Sequence, residues 1–367
     1  MRDDIYMLWL SSKVNELGSR KLNALLDIFD TARNIFNADI DELKTANLTP
    51  HAMDVLTTKR SLQDIENMLE TMENKGIVYL SRNNPRFPAL LGKIPDPPVG
   101  IFFIGTLPAD NTEKVAIIGS RRCSEYGLLS ARLLAKPLAE EGVVVVSGMA
   151  RGVDSMAHRG ALQGGGMTIA VLGCGVDICY PAENRELRKE IINSGCVMSE
   201  YPPGTRPAPA FFPARNRIIS GLSLGVVVTE AGKKSGTLIT VDTAIDQGRE
   251  VLAVPGNISS KLSQGTNKLI QEGAHPIADY TDILNALKIS PSPVSEEKVK
   301  NSEKNIANNL APDEKQVYDS LAFDAVSFDM LLNLTNINPS RMHMICTGLE
   351  LKGLARKLPG NRYVKGI

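Results

Sequence analysis

Two short polar turns in this chain have the composition of phosphate-binding sites. The first, Gly119-Ser120-Arg121-Arg122, directly follows the apolar run Val115–Ile118, and the second, Lys233-Lys234-Ser235-Gly236-Thr237, comes shortly after the apolar run Leu224–Val228. A stretch of helical character follows each turn. Amides in the first turn of a helix have no intrahelical partner and the helix dipole adds positive potential, so such turns bind anions. We expect a ligand that carries phosphate.

A third segment, residues 211–219, places two arginines between these turns in sequence. Arg215 and Arg217 are two residues apart on an expected helix, so their side chains diverge by about 200°. We expect one of them to face the phosphates and the other to pair with a carboxylate such as Glu200 or Glu230. Arginine suits phosphate because its planar fork donates two hydrogen bonds at once.

Aromatic residues near these segments are candidates for stacking on nucleic-acid bases: Phe211, Phe212, Tyr126 and Tyr180. Aromatic residues make up only 5% of the chain, and Phe212 beside Pro213 would as readily pack into a core. A site built from backbone contacts and stacking binds strands without sequence preference. The expected ligand is therefore a phosphodiester strand or a nucleotide.

The elements that must position these residues are predicted by five strand-sized apolar runs, which alternate with stretches of helical periodicity. The runs are Val115–Gly119, Val143–Gly148, Thr168–Gly173, Leu224–Thr229 and Glu250–Pro255. This alternation predicts an α/β fold with a doubly wound, mostly parallel Rossmann-like sheet and helices on both faces. Because ligands bind at the carboxyl ends of such strands, the two phosphate-binding turns should lie side by side.

The rest of the chain divides around this sheet, since 367 residues suit two or three domains. Gly18-Ser19-Arg20-Lys21 resembles a helix-hairpin-helix or sterile-alpha-motif turn, although a plain helical packing domain fits equally well. The expected divisions are a helical domain at 1–75, a turn-rich connector at 76–110, the sheet domain at 111–287, a polar linker at 288–309 and a winged-helix domain at 310–367.

The winged-helix prediction rests on three helical stretches followed by a hairpin around Pro359-Gly360-Asn361. Winged helices bind either DNA or protein. Met342, His343 and Met344 on the expected recognition helix offer few phosphate contacts, which favours protein docking.

Composition narrows the function classes. The 41 Lys and Arg residues balance 41 Asp and Glu residues, so a polyanion must be held by a local basic patch. The five cysteines, Cys123, Cys174, Cys179, Cys196 and Cys346, lack the paired spacing of a zinc site, and we expect reduced, mostly buried thiols. The apolar runs are strand-sized and the first residues are acidic, which predicts a cytoplasmic protein with no membrane span.

Four strings together resemble the DNA processing protein A family, DprA or Smf. They are Val115–Arg121, Ser147–Asp154, Pro213–Ile219 and Ser235–Thr240. The resemblance implies a dimeric bacterial protein with an extended Rossmann fold that binds single-stranded DNA, protects incoming DNA during natural transformation and loads RecA recombinase onto it. It implies neither enzymatic activity nor a cofactor or metal.

In that family the Gly-Ser-Arg turn binds strand phosphates, which maps onto Gly119, Ser120 and Arg121. Spacing adds further candidates for contact with DNA: Phe212, Arg215, Asn216, Arg217, Lys233, Lys234, Ser235, Gly236 and Thr237.

Two enzymatic functions are also suggested by residues of this chain. The phosphoribohydrolases, with their lysine-decarboxylase-like relatives, resemble this chain around residues 232–240, but they need a carboxylate where this chain has Thr240. Asp154 and His158 are four residues apart and could form an acid–base pair. The plainer interpretation makes Asp154 a helix N-cap and His158 a packed side chain.

A dinucleotide site is suggested by Gly173-Cys174-Gly175 after an apolar run. The fingerprint requires a third glycine at a helix start, and Pro181 instead breaks any helix there. A nucleotide-binding regulator with no role on DNA stays open, because a phosphate pocket alone does not distinguish a mononucleotide from a strand.

Overall fold

The structure is a computed structural model that describes residues 2–58, 60–290, 310–321, 325–352 and 354–365. The chain forms two compact units, Met1–Ser290 and Pro291–Ile367. Most of the expected linker, residues 291–309, lies outside the described residues. The finer domain limits expected from the sequence stay predictions.

Seven helices form the first part of the larger unit. They are α1 (Arg2–Ser11), α2 (Val14–Leu17), α3 (Ser19–Phe29), α4 (Ala32–Asn37), α5 (Ile40–Lys44), α6 (Pro50–Thr58) and α7 (Leu62–Asn74). Their buried side chains, among them Trp9 and Leu22, belong to the same apolar cluster as Phe102, Leu172 and Tyr201 of the sheet region. The N-terminal helices therefore share a core with the sheet.

The larger unit contains a nine-stranded sheet. Its strands are β1 (Val78–Ser81), β2 (Gly100–Gly105), β3 (Lys114–Ile118), β4 (Val144–Ser147), β5 (Thr168–Val171), β6 (Cys196–Ser199), β7 (Gly225–Val228), β8 (Glu250–Ala253) and β9 (His275–Pro276). The strand order is β1-β2-β6-β5-β4-β3-β7-β8-β9. Both pairings of β2, with β1 and with β6, are antiparallel, and all the others are parallel. The predicted mostly parallel, doubly wound α/β sheet is confirmed.

Helices cover the sheet. They are α8 (Ala89–Gly92), α9 (Glu125–Glu140), α10 (Val153–Gln163), α11 (Arg185–Ser194), α12 (Phe211–Gly221), α13 (Thr237–Asp246), α14 (Gln264–Gln271) and α15 (Tyr280–Leu287), with a short 3-10 turn at Ala182–Asn184. The expected N-cap at Asp154 is wrong, because the N-cap of α10 is Gly152 at φ 75°. A Cβ at Gly152 would lie 2.5 Å from the carbonyl oxygen of Ser120, so close backbone approach requires glycine there.

The strand order reverses at β3, which pairs with β4 on one side and β7 on the other. Ile118 at the end of β3 is in register with Val228 at the end of β7. The turns that follow these two strands are therefore neighbours, as the sequence predicted. A crevice at such a reversal is the usual ligand site of an open parallel sheet.

The smaller unit has the element order of a winged helix. It contains α16 (Pro312–Ser320), β10 (Val326–Ser327), α17 (Phe328–Thr335), α18 (Pro339–Leu351), β11 (Ala355–Leu358) and β12 (Arg362–Lys365). Its three strands pair in the order β10-β12-β11 around a core that includes Val317, Leu331, Ile345 and Tyr363.

Candidate nucleic-acid interface

A cleft of about 620 Å³ lies where the turns after β3 and β7 meet the start of α12. Nine of the residues predicted to contact DNA line it: Gly119, Ser120, Arg121, Phe212, Arg215, Asn216, Ser235, Gly236 and Thr237. Arg217, Lys233 and Lys234 are not among its lining residues. The structure thus gathers residues that are more than one hundred positions apart in the chain.

The turn after β3 is fixed by its neighbours. The Ser120 amide donates to the carbonyl oxygen of Glu230 at 2.8 Å, and the Ser120 hydroxyl accepts from the Arg122 amide at 3.2 Å. Gly119 permits this fit, since a Cβ there would lie 2.7 Å from a methyl carbon of Val153. Arg121 is exposed on this rigid turn and can reach a ligand.

Arg121 and two aromatic rings form a stack along one wall of the cleft. The Cζ atom of Arg121 lies 5.4 Å from the ring centroid of Phe212. The Phe212 and Tyr180 rings are 5.4 Å apart at 35°, and Tyr180 is 46% exposed. A cation and an exposed ring on one wall suit the phosphate and base of a single nucleotide unit.

The other two aromatic candidates lie outside the cleft. Phe211 stacks on the buried Tyr201 with 4.3 Å between centroids. The Tyr126 hydroxyl donates to the carbonyl oxygen of Pro255 at 2.7 Å. Of the four aromatic candidates, only Phe212 and Tyr180 line the cleft.

Arg215 is buried under the cleft. Its Nη1 donates to the carbonyl oxygens of Gly148, at 2.9 Å, and Val171, and its Nε donates to Asn216 Oδ1 at 3.2 Å. Burial lowers the pKa of Arg215 to about 10, so the guanidinium stays charged at neutral pH. Held by these carbonyls, Arg215 contributes positive potential from below.

The carboxylate of Asp154 offsets part of the positive charge of Arg215. Its Oδ2 accepts from the amides of Gly148 at 3.2 Å and Ala150 at 3.4 Å. Burial raises the pKa of this carboxyl, while the nearby Arg215 charge acts in the opposite direction. The lining of the cleft therefore contains an acidic group beside its basic groups.

Arg217 points away from the cleft, as its spacing from Arg215 predicted for one of the two. It forms an ion pair with Glu200 at 2.6 Å, and its Nε lies 3.3 Å from Asp96 Oδ2. Burial lowers the pKa of Arg217, but the charge of Glu200, the hydrogen bonds to Glu200 and the charge of Asp96 together outweigh burial and raise the pKa. The expected carboxylate partner of this arginine is Glu200.

The second turn presents the start of α13 to the cleft. The N-cap of α13 is Gly236, which has no side chain to cap the helix, and the Ser235 hydroxyl accepts from the Thr237 amide at 3.2 Å. Lys233 and Lys234 are exposed on the same turn, outside the cleft lining. They can add charge to the approach of a ligand.

The acid–base interpretation of Asp154 and His158 is not supported by the position of His158. This side chain is fully buried and its Nδ1 lies 2.7 Å from Thr168 Oγ1. Because the Thr168 hydroxyl donates to the carbonyl oxygen of Val145, Nδ1 must be the donor to Thr168. Burial lowers the pKa of His158 to about 3, so it is a neutral packed side chain.

Several lining residues were not predicted as individual contacts to DNA: Arg122, which was named only as part of the first turn, and Ala150, Pro209, Ile239 and Thr240. Arg122 could have been found, since it adjoins Arg121 in the same turn. Ala150, Ile239 and Thr240 lie within strings that resemble the family, but their side chains show no binding chemistry of their own. Pro209 lies outside those strings, and its place in the cleft depends on how distant loops converge.

The described residues contain no disulfide, no metal-binding cluster and no helix suited to span a membrane. The five cysteines are free. No group of three or more His, Cys, Asp or Glu side chains in this part of the chain could hold a metal ion. No helix within the described ranges is both long and apolar enough to cross a membrane.

Residues 78–288 match the family model described as DNA recombination-mediator protein A, and residues 302–361 match the model described as the DprA winged helix domain. The chain belongs to the DNA processing protein A family. It is 30% identical to protein Smf of Synechocystis, with 97% of each chain covered. It is 45% identical over 216 residues to DNA processing protein DprA of Streptococcus pneumoniae, covering 56% of this chain and 76% of that protein.

Solved structures agree with this family membership. The X-ray structure of DprA from Streptococcus pneumoniae matches with a TM-score of 0.65 and 37% identity, over 78% of this chain and 97% of that one. DNA processing protein A from Helicobacter pylori matches with a TM-score of 0.52 and 32% identity, over 57% of this chain and 95% of that one. The latter structure is described for its unique single-stranded DNA binding mode.

Proposed function

We propose that this protein binds single-stranded DNA in the cleft at the ends of β3 and β7. The observation that carries the proposal is the stack of Arg121, Phe212 and Tyr180 beside the start of α13, where the N-cap Gly236 has no side chain. Arg121 contacts a phosphate, and backbone amides at the start of α13 donate hydrogen bonds to a neighbouring phosphate. Buried Arg215 adds positive potential beneath both.

The exposed ring of Tyr180 and the half-buried ring of Phe212 favour a single strand over a duplex. Stacking on a protein ring needs a base whose face is free, and the bases of a duplex are stacked on one another. Every base has such a face, so binding is independent of sequence. The strand is held by backbone charge and stacking, with a strong dependence on salt.

We further propose that the bound strand is passed to RecA recombinase. Support comes from membership in a family whose model is described as a recombination mediator. In this role a homodimer, formed through the sheet domain, protects DNA taken up during natural transformation and loads RecA onto it in the cytoplasm.

The binding step is tested by fluorescence anisotropy of labelled oligo-dT of increasing length, with a duplex of the same length and AMP as competitors. We expect tight binding that grows with length, weakens with salt and resists both competitors. Displacement by AMP with no dependence on strand length would instead support a nucleotide site, and a ribosyl-hydrolysis assay would follow.

The mediator step is tested by RecA-dependent ATP hydrolysis on single-stranded DNA that is coated with single-strand binding protein. We expect the protein to shorten the lag before hydrolysis. Light scattering in the same buffer measures the dimer. An unchanged lag at saturating protein would overturn the loading step and leave the strand-binding proposal standing.

A further inference from the structure

We propose that Arg217 is a positioning residue that fixes the first half of α12, and with it Phe212 and Arg215, in the geometry the cleft needs. The inference rests on the single-strand function proposed above. Arg217 itself need not touch DNA. It acts through the helix that carries both cleft residues.

Arg217 is held by groups from three other segments of the chain. Its Nη1 and Nη2 donate to the two carboxylate oxygens of Glu200 at 3.0 and 2.6 Å. Its Nη2 also lies 2.6 Å from the hydroxyl of Ser19, which in turn donates to Glu200 at 2.6 Å. Asp96 accepts from Nε at 3.3 Å. The guanidinium is thereby fixed in direction as well as in distance.

The segment of α12 that needs this fixing lies between two cavities. Pro213 lines both the cleft and a second cavity of about 510 Å³, and Arg217 lines the second one. The later residues Ile218, Ile219 and Leu222 are packed in the core. Side-chain contacts, and not close packing alone, therefore hold the start of the helix.

A buried ion pair of this kind orients the segments that carry it more dependably than it stabilises the fold. Replacing both partners with apolar side chains of similar volume is often neutral for folding, while removing one partner leaves a buried charge. Glu200 is 3% exposed and the Arg217 side chain is 10% exposed, so this pair is of the buried type. Replacement of both partners can therefore change the position of α12 while leaving the stability of the fold nearly unchanged.

Ser19 extends this control to the N-terminal helices. It is the first residue of α3 and hydrogen-bonds to both members of the Glu200–Arg217 pair. Asn23, one turn further along α3, donates to Asp96 at 3.0 Å. Two side chains of α3 thus hold both acidic partners of Arg217.

The test is a double-mutant cycle in single-strand affinity, measured on the full chain with labelled oligo-dT. Arg217→Met/Glu200→Met is compared with the wild type and then made again in a Phe212→Ala background. We expect the Met/Met change to weaken oligo-dT binding about fivefold in the wild-type background and less than twofold in the Phe212→Ala background. The loss is smaller there because both changes act on the position of the Phe212 ring. Ser19→Ala is also measured with and without Phe212→Ala, so that the positioning role can be tested even if the double variant does not fold.

The matched control is Lys189→Ala/Glu186→Ala, which also removes one cation and one carboxylate, from an exposed pair on α11. We expect wild-type affinity from it in both backgrounds. Wild-type affinity in the Met/Met variant, or an equal loss in both backgrounds, would overturn the positioning role alone. If the wild type does not bind oligo-dT, the proposed function falls, and the inference falls with it.

Discussion

The guanidinium of Arg121 lies over the ring of Phe212, with 5.4 Å between Cζ and the ring centroid. Arg121 can bind a phosphate, and Phe212 can stack on a base. The two contributions respond differently to salt, so they can be measured apart.

Arg121→Ala should weaken single-strand binding and flatten its salt dependence. Loss of one phosphate contact lowers the slope of log K against log salt by about 0.7. Arg121→Lys should keep the slope but bind more weakly than the wild type, since lysine lacks the planar fork. Anisotropy titrations at four salt concentrations measure both. An unchanged slope in Arg121→Ala would mean that Arg121 contacts no phosphate.

Phe212→Leu should weaken binding without a change in the salt slope. The expected loss is about 1–3 kcal/mol for one stacked base. Phe212→Tyr keeps the aromatic face and serves as the control, with affinity close to that of the wild type. If leucine and tyrosine bind equally well, stacking on this ring is not part of recognition.

Gly148→Ala should disturb the floor of the cleft. A Cβ at this position would lie 2.6 Å from both Nη atoms of Arg215 and 2.7 Å from Asp154 Oδ2. We expect a loss of about 1–3 kcal/mol in the free energy of unfolding, together with weaker binding, because Arg215 must move. Gly348→Ala is the control. Gly348 lies within α18, and a Cβ there would lie 3.6 Å from the nearest atom, Oε1 of Glu314. Urea unfolding of the control should show equal or greater stability.

His158 should make the protein less stable as the pH falls below about 6.5. Burial lowers the pKa of His158 to about 3 from an ordinary value of 6.5, so over that range the unfolded chain takes up a proton that the folded chain does not. The free energy of unfolding should fall by about 2 kcal/mol between pH 7.5 and 5.0 from this group.

Comparison with His158→Gln in urea unfolding isolates this contribution, because all other titrating groups remain in both proteins. His51→Gln is the matched control, since His51 is exposed. Equal pH dependence in the wild type and His158→Gln would contradict the assignment.

The sheet could be predicted from the sequence at five of the nine strands that the structure describes. The runs at β3, β4, β5, β7 and β8 are continuous stretches of apolar residues, and the glycine-containing turns after β3 and β7 identify the switch point. Strands β6 and β9 were not among the predicted runs, since β6 has only three consecutive apolar residues and β9 is two residues long. The strands β1 and β2 were missed inside the expected connector. β1 is four residues long, with one exposed and one half-buried residue, and three prolines precede β2 at positions 95, 97 and 98.

The sequence predicted which turns form the site, but it did not predict the contacts of each side chain. The spacing of Arg215 and Arg217 showed that they diverge, but not that Arg215 would be held by the carbonyl oxygens of Gly148 and Val171. Phe211 and Phe212 are adjacent and chemically identical, yet only Phe212 lines the cleft. Such choices depend on how distant segments converge, and one sequence does not encode them in a local pattern.

The most direct test of the cleft as the single-strand site is photocross-linking of oligo-dT in which one thymine is replaced by 5-iodouracil. The cross-linked peptide of the wild-type protein is then identified by mass spectrometry. Cross-links at Tyr180 or Phe212, lost when unlabelled oligo-dT competes, are the predicted result. Cross-links confined to residues 310–365 would contradict the account, because the strand would then be held by the smaller unit and not by the cleft.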